Sequence, residues 1–201
     1  ALNAHFEHFP YLLGWRPSVG DFGLIAPMYA HLGRDPHPAK LMQQRAVSVH
    51  RWVERMNRAD QDVPEFFNTG TEFIDDDEVP ESLMAVLRIL AEDFVPETLA
   101  AADSINGWLA ENKPETGAPA VGRLAQAIGM ATFVLRGETI EALAQPHRFY
   151  LLQRVQDDYA SLSETEKSAV DGVLSKSGMT AILDASLNRR IERADNLEVW
   201  V

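Results

Sequence analysis

The chain has 201 residues, 46% of them hydrophobic and 24% charged, with no cysteine, enough to bury one sizeable core and a small satellite of it. Eighteen Lys and Arg stand against 30 Asp and Glu, a net charge of −12, the wrong sign for a main partner that is a nucleic-acid backbone or an anionic membrane face. No disulfide, thiolate metal site or thiol nucleophile is available, and no run approaches the ~20 apolar residues of a membrane span, so a soluble, cytoplasmic protein is expected.

In chain order, Leu2, Phe6 and Phe9 recur at helical spacing with no capping residue before them, which suggests the last turns of a helix that begins upstream and a chain that is part of something longer. Ser18-Val19-Gly20-Asp21 follows a turn at Gly14 to Pro17 and has the form of a capping box: the Ser18 hydroxyl takes the Asp21 N–H, and the Asp21 carboxylate takes the Ser18 N–H. Phe22, Ile25, Tyr29 and Leu32 then mark one face of a helix that runs to Gly33, kinked at Pro27. A second helix fits from about Pro38 to Met56 through Leu41, Met42, Val49, Trp52 and Val53, with Arg45, Arg51 and Arg55 on its wetter side.

From Gln61 to Val79 the periodicity fails, and Pro64, Asn68-Thr69-Gly70 and Asp75-Asp76-Asp77-Glu78 predict a loop or linker. Helices are expected from Pro80 to about Phe94 and from Glu97 to Ala110. Arg136-Gly137, flanked by Ala131–Leu135 and Glu138–Leu143, has the pattern of a hairpin. Pro146 opens a helix to about Ser161, and Ser163 with Glu166 forms a second capping box for a helix closing at Gly178. Met179 to Ala194 predicts a final helix with Ile182, Leu183, Leu187 and Ile191 inward. The expected class is all-α, a helical bundle with a helical extension and one short hairpin near 128–143, divided into a core at 1–62, a linker at 63–79 and the extension at 80–201.

Tyr11-Leu12-Leu13-Gly14-Trp15-Arg16-Pro17-Ser18-Val19-Gly20-Asp21-Phe22 resembles the signature of the C-terminal helical domain of the glutathione S-transferase family. Gly20 stands where that family usually has Ala, and both capping partners are kept. Tyr29-Ala30-His31-Leu32 and the Trp52-Val53-Glu54-Arg55-Met56 end of the second helix are similar to bacterial members. The likeness covers residues 1 to about 58. It implies an electrophile-side pocket, a homodimer surface and a hydrophobic small-molecule electrophile. Glutathione and its activating Tyr, Ser or Cys belong in that family to a thioredoxin-like domain, to which nothing in these residues corresponds. No catalytic residue and no cofactor of this chain's own are therefore expected, and a non-catalytic interaction module of the same family is the alternative.

Other chemistry is weaker. His5-x-x-His8 with Glu7 has two ligands of a metal site and no third nearby, so exposed helix-end histidines are the favoured reading and no metal is expected. Ser18, His31 and Asp21 could be drawn as a triad, but Ser18 is better explained as a cap. Asp75 to Glu78 lacks the alternating ligands and central glycine of a calcium loop. The positions singled out for a ligand are Tyr29, His31 and Arg34 at the end of the first complete helix, with Tyr29 alternatively in the core, and Tyr150 and Arg154, which share a helical stripe with Gln153 and Asp157. That stripe otherwise forms an ordinary solvated face with an Arg154–Asp157 or Arg154–Asp158 pair. Arg189, Arg190 and Arg193 are assigned to the dipole at a helix end.

Overall fold

A cap at Ser18, a proline at position 36 and a break at Ala46 leave the first part of the chain as short helices, and one buried cluster gathers them. The computed structural model describes residues 1–58, 65–67, 70–122 and 125–201, which divide into two units, Ala1–Val86 and Leu87–Val201. The expectation of an all-α protein is corrected: the described residues are 56% helical and also form two separate two-stranded antiparallel sheets.

The first unit contains α1 (Leu2–Phe6), α2 (Val19–Pro27), which runs on into a single π-helical turn at Met28–Leu32, α3 (Pro36–Arg45) and α4 (Val47–Met56). The single helix expected over 38–56 is two, because Ala46 leaves helical geometry at φ −143° and ψ 55°. The break frees the N–H of Ser48, and Asn3 Oδ1 on α1 accepts it at 2.9 Å. Val49, Trp52 and Val53 turn the apolar stripe of α4 inward onto Phe6, Tyr11 and Met42. Phe6 lies flat on Trp52, their ring centroids 5.0 Å apart.

The inward face of α2 differs from the expected one. Leu24, Ile25 and Met28 pack on this core, whereas Phe22, Tyr29 and Leu32 are 61%, 43% and 41% exposed. The buried Asp21 sets the rotation: residues three, four and seven positions after it share its side of the helix.

The segment expected as a linker belongs, in its described residues, to the first unit. The Trp15 N–H donates to the Glu72 carbonyl at 3.1 Å and the Ile74 N–H to the Leu13 carbonyl at 3.0 Å, so 13–15 and 72–74 run together as a short extended pair. Gly14 permits this with φ +114°, and a Cβ there would stand 2.9 Å from the Ile74 nitrogen. Pro64, Asn68 and Thr69, marked by the sequence as breakers, lie outside the described residues, as do 59–63. Asp75–Asp77 is an exposed 3₁₀ turn.

α5 (Glu81–Asn112) carries the chain from the first unit into the second as one helix where two were expected. Pro96 removes a single N–H from its ladder, and the helix continues because Ala101, Ala102, Ile105 and Leu109 are buried in one core beyond it. β1 (Gly129–Leu135) and β2 (Glu138–Ala144) form the expected hairpin around Arg136 and Gly137, both at positive φ, 51° and 88°. α6 (Pro146–Ser161) and α7 (Glu164–Ser177) follow, the latter opened by the Ser163–Glu166 capping box and closed by left-handed Gly178.

The final helix does not form. A 3₁₀ turn at Thr180–Ile182 leads instead to β3 (Ile191–Ala194) and β4 (Leu197–Trp200), joined at Asp195 and Asn196 with φ 48° and 62°. A strand pair places Ile191 opposite Trp200, both fully buried, whereas helical spacing leaves Trp200 outside the pattern. The segment 117–120 extends this sheet: the Trp200 N–H donates to Ala118 O at 2.9 Å, and the Gly117 and Ala120 N–H groups donate to Trp200 O and Glu198 O at 2.8 Å. Trp108 stacks on Trp200 across this core.

Gly14→Ala is expected to cost on the order of 2 kcal/mol, since it combines a left-handed φ with a backbone clash. Thermal unfolding checks this, and an unchanged midpoint would show that the 13–15 and 72–74 pairing is dispensable.

Candidate functional site

Asp21 is a fully buried and densely engaged polar side chain of the first unit. Its carboxylate accepts from the Ser18 N–H at 2.8 Å, the Ser18 hydroxyl at 2.7 Å, the Leu12 N–H at 3.1 Å and the Trp52 Nε1–H at 2.9 Å. The predicted capping box is present, with the Asp21 N–H donating to Ser18 Oγ. Trp52 and Leu12 are additions that the local motif does not announce. The group is acceptor-only and saturated, and the Ser18 hydroxyl donates to it. A Ser18–His31–Asp21 triad is thus not assembled, and His31 is exposed on the π turn.

That turn holds the first set of predicted ligand residues. The Gly33 N–H reaches back five residues to the Met28 carbonyl at 2.7 Å, a widened turn of a kind often found at functional positions. The Arg34 guanidinium lies 5.7 Å from the Tyr29 ring centroid; Tyr29, His31 and Arg34 are all exposed. Val19, Phe22 and Leu32 are exposed with them, so α2 and the turn present an aromatic and aliphatic surface edged by one imidazole and one guanidinium. Elsewhere in the first unit, Leu13, Phe73, Ile74 and Val79 line a cleft of about 300 Å³ with Asp77 and Glu78. Sequence reasoning passed over Phe73 and Ile74, although an apolar pair next to an acidic run is a visible signal.

His5 and His8 do not form a pair of exposed histidines. His5 is buried: Nε2 meets the Tyr11 carbonyl at 3.3 Å, which requires a proton on that nitrogen, leaving Nδ1 to accept from the Ser82 hydroxyl at 2.9 Å. Its ring also stacks on Phe9. Burial lowers its pKa below the ordinary 6.5, against the opposing pull of the Tyr11 carbonyl. Among the described residues no group of three or more His, Asp or Glu could hold a metal ion. Arg55, expected on the wet side of its helix, is 4% exposed; it donates to Pro10 O at 2.9 Å and to Glu65, between the rings of Tyr11 and Phe66. Burial draws its pKa down while Glu65 opposes the shift.

In the second unit the α6 stripe divides. Arg154 stacks on Tyr150 at 4.0 Å, while Gln153 and Asp157 hold the last sheet. Gln153 donates to Ile191 O and accepts the Ile191 N–H, and Asp157 takes a two-pronged pair from Arg190 at 3.0 and 2.7 Å. Those hydrogen bonds lower the Asp157 pKa and raise that of Arg190. Of the two pairs expected, Arg154–Asp157 is replaced by Arg190–Asp157, and Arg154–Asp158 does not form among the described residues. Arg189 donates to Pro114 O, Thr116 Oγ1 and Val201 O, so the arginine triplet does not serve a helix dipole: Arg189 and Arg190 lie in the irregular segment before β3, and Arg193 lies within the strand.

No family model, curated protein or solved structure matches this chain. Among the described residues no helix is long and apolar enough to cross a membrane.

Asp21→Asn should cost about 2–3 kcal/mol, because an amide nitrogen would face donors that are buried with no alternative acceptor; chemical denaturation measures it, and a loss below 1 kcal/mol would mean the carboxylate is not the anchor. For His5 the sign follows from its lowered pKa: the unfolded chain gains a proton below about pH 6.5 that the folded chain resists. Stability is therefore full above that pH and declines as pH falls toward the depressed native value. His5→Gln should flatten the difference in melting temperature between about pH 7.5 and about pH 5.5, and an unaltered slope would assign it to other groups.

Proposed function

We propose that this chain is the C-terminal portion of a glutathione S-transferase-like protein, in which the first unit contributes the electrophile-side wall and a homodimer surface and is not catalytic by itself. The observation that carries this reading is the way the Gly14 to Phe22 signature is built. Its Ser18–Asp21 box is buried and joined to Trp52 on α4, the helix whose end also resembles the family. Supporting it, Val19, Phe22, Tyr29 and Leu32 form an apolar face on α2 and its following turn that this unit leaves exposed. Such a face suits an apolar electrophile whose thiol partner, glutathione, is held by a separate thioredoxin-like domain.

The purified chain with glutathione and 1-chloro-2,4-dinitrobenzene is expected to give no conjugation above the uncatalysed rate. The unreactive 1,3-dinitrobenzene should nevertheless quench tryptophan fluorescence saturably, and Phe22→Ser with Tyr29→Ala should weaken that binding about tenfold. Conjugation by the chain alone overturns the non-catalytic half of the proposal. Quenching that does not saturate, or that both substitutions leave intact, overturns the electrophile half and favours the interaction-module alternative.

A further inference from the structure

The second unit has a concavity that the transferase-like reading does not use. Pro119 and Val121 on one side and Asn196, Leu197, Arg193 and Glu198 on the β3–β4 hairpin enclose about 510 Å³, within the roughly 300–1,000 Å³ usual for small-molecule sites. The backbone pairing of 117–120 with β4 sets Pro119 against the hairpin, and Val121, Gly122 and Ala125 continue that wall beyond the paired residues. Its apolar side is uncovered: Leu197 is 55% exposed.

The charges around it are unevenly used. Arg190 is committed to Asp157 and Glu192, and Arg189 to Pro114, Thr116 and Val201. Arg193, by contrast, has no hydrogen-bond or ion-pair partner among the described residues, in a chain where acidic residues outnumber basic ones 30 to 18. Its cross-strand neighbour is Glu198, whose carboxylate is engaged by His147 Nδ1. The hollow therefore pairs an unspent planar cation and the Asn196 amide with an apolar wall, while its acidic group is turned to another partner. A guanidinium in such a setting suits a carboxylate, which it can hold through two parallel N–H bonds.

We propose that the hollow between the 117–121 segment and the β3–β4 hairpin binds a small apolar carboxylate, Arg193 and Asn196 taking the carboxylate and Pro119, Val121 and Leu197 the hydrocarbon. The site lies wholly in the second unit and stands or falls independently of the transferase-like reading.

The test is an NMR titration of the labelled full chain with 4-phenylbutyrate and, separately, with its neutral carboxamide. The carboxylate should shift the amides of Arg193, Asn196 and Leu197 saturably, and the carboxamide should bind about tenfold more weakly. Arg193→Gln should abolish that preference without moving the melting temperature, since the side chain has no partner among the described residues to lose. Leu197→Asn, also at an exposed position, should weaken both compounds. Equal affinity for acid and amide, a preference that survives Arg193→Gln, or shifts confined to other parts of the chain would each overturn the proposal.

Discussion

Asp21 is a carboxylate without access to water, and the first unit is arranged so that donors from three places reach it. A buried acceptor of this kind is costly unless every lone pair is answered. The Ser18 N–H and hydroxyl answer from the cap, the Leu12 N–H from the preceding turn, and the Trp52 indole from α4. Geometry follows from that requirement. The indole must lie where its N–H points at Oδ1, which places its face against Phe6; the chain from Tyr11 to Ser18 must curl back over α2, which needs the open backbone of Gly14 and its contact with Ile74. The rotation of α2 is a consequence too, and with it the exposure of Phe22, Tyr29 and Leu32.

The second unit is held by a different device. Its core is small in side-chain volume near the helices, with Ala101, Ala102, Ala131, Ala144 and Ala185 buried, and is completed by Phe149, Ile191 and Trp200. A two-stranded sheet is marginal alone, so the C-terminal hairpin is fastened from outside: Gln153 pairs with both backbone groups of Ile191, Asp157 with Arg190, and residues 117–120 with β4. Polar side chains on α6 thus act as extra rungs of the ladder, and for this reason a stripe that offers a phenol, amide, guanidinium and carboxylate does not converge on one ligand.

The two candidate binding regions differ in kind. The α2 surface is exposed and apolar, and its reading rests on the transferase-like proposal. The hollow beside β4 is concave and carries its own cation, and its reading rests on geometry and charge alone.

Much of the local structure was legible in the sequence, because caps and tight turns are decided by residues a few positions apart. Ser18 with Asp21, Ser163 with Glu166, Gly178 as a left-handed stop and Arg136-Gly137 as a hairpin turn all behave as their local chemistry dictates. What spacing could not decide was which face of an element is covered. Phe22 and Tyr29 match an inward stripe by period, yet lie outward because Asp21 is the group that must be buried. Ile182 to Ile191 matches a helix, yet becomes a turn and a strand because Trp200, distant along any helical wheel, needs Ile191 opposite it. His5 and Arg55 look like surface residues until their partners, Ser82, Tyr11 and Glu65, arrive from elsewhere in the chain. The sequence by itself determined the capping boxes and tight turns, since those signals are short-range hydrogen bonds; only the tertiary structure decided where helices break or run on and which polar groups could be buried, since that depends on groups far apart in sequence meeting in space.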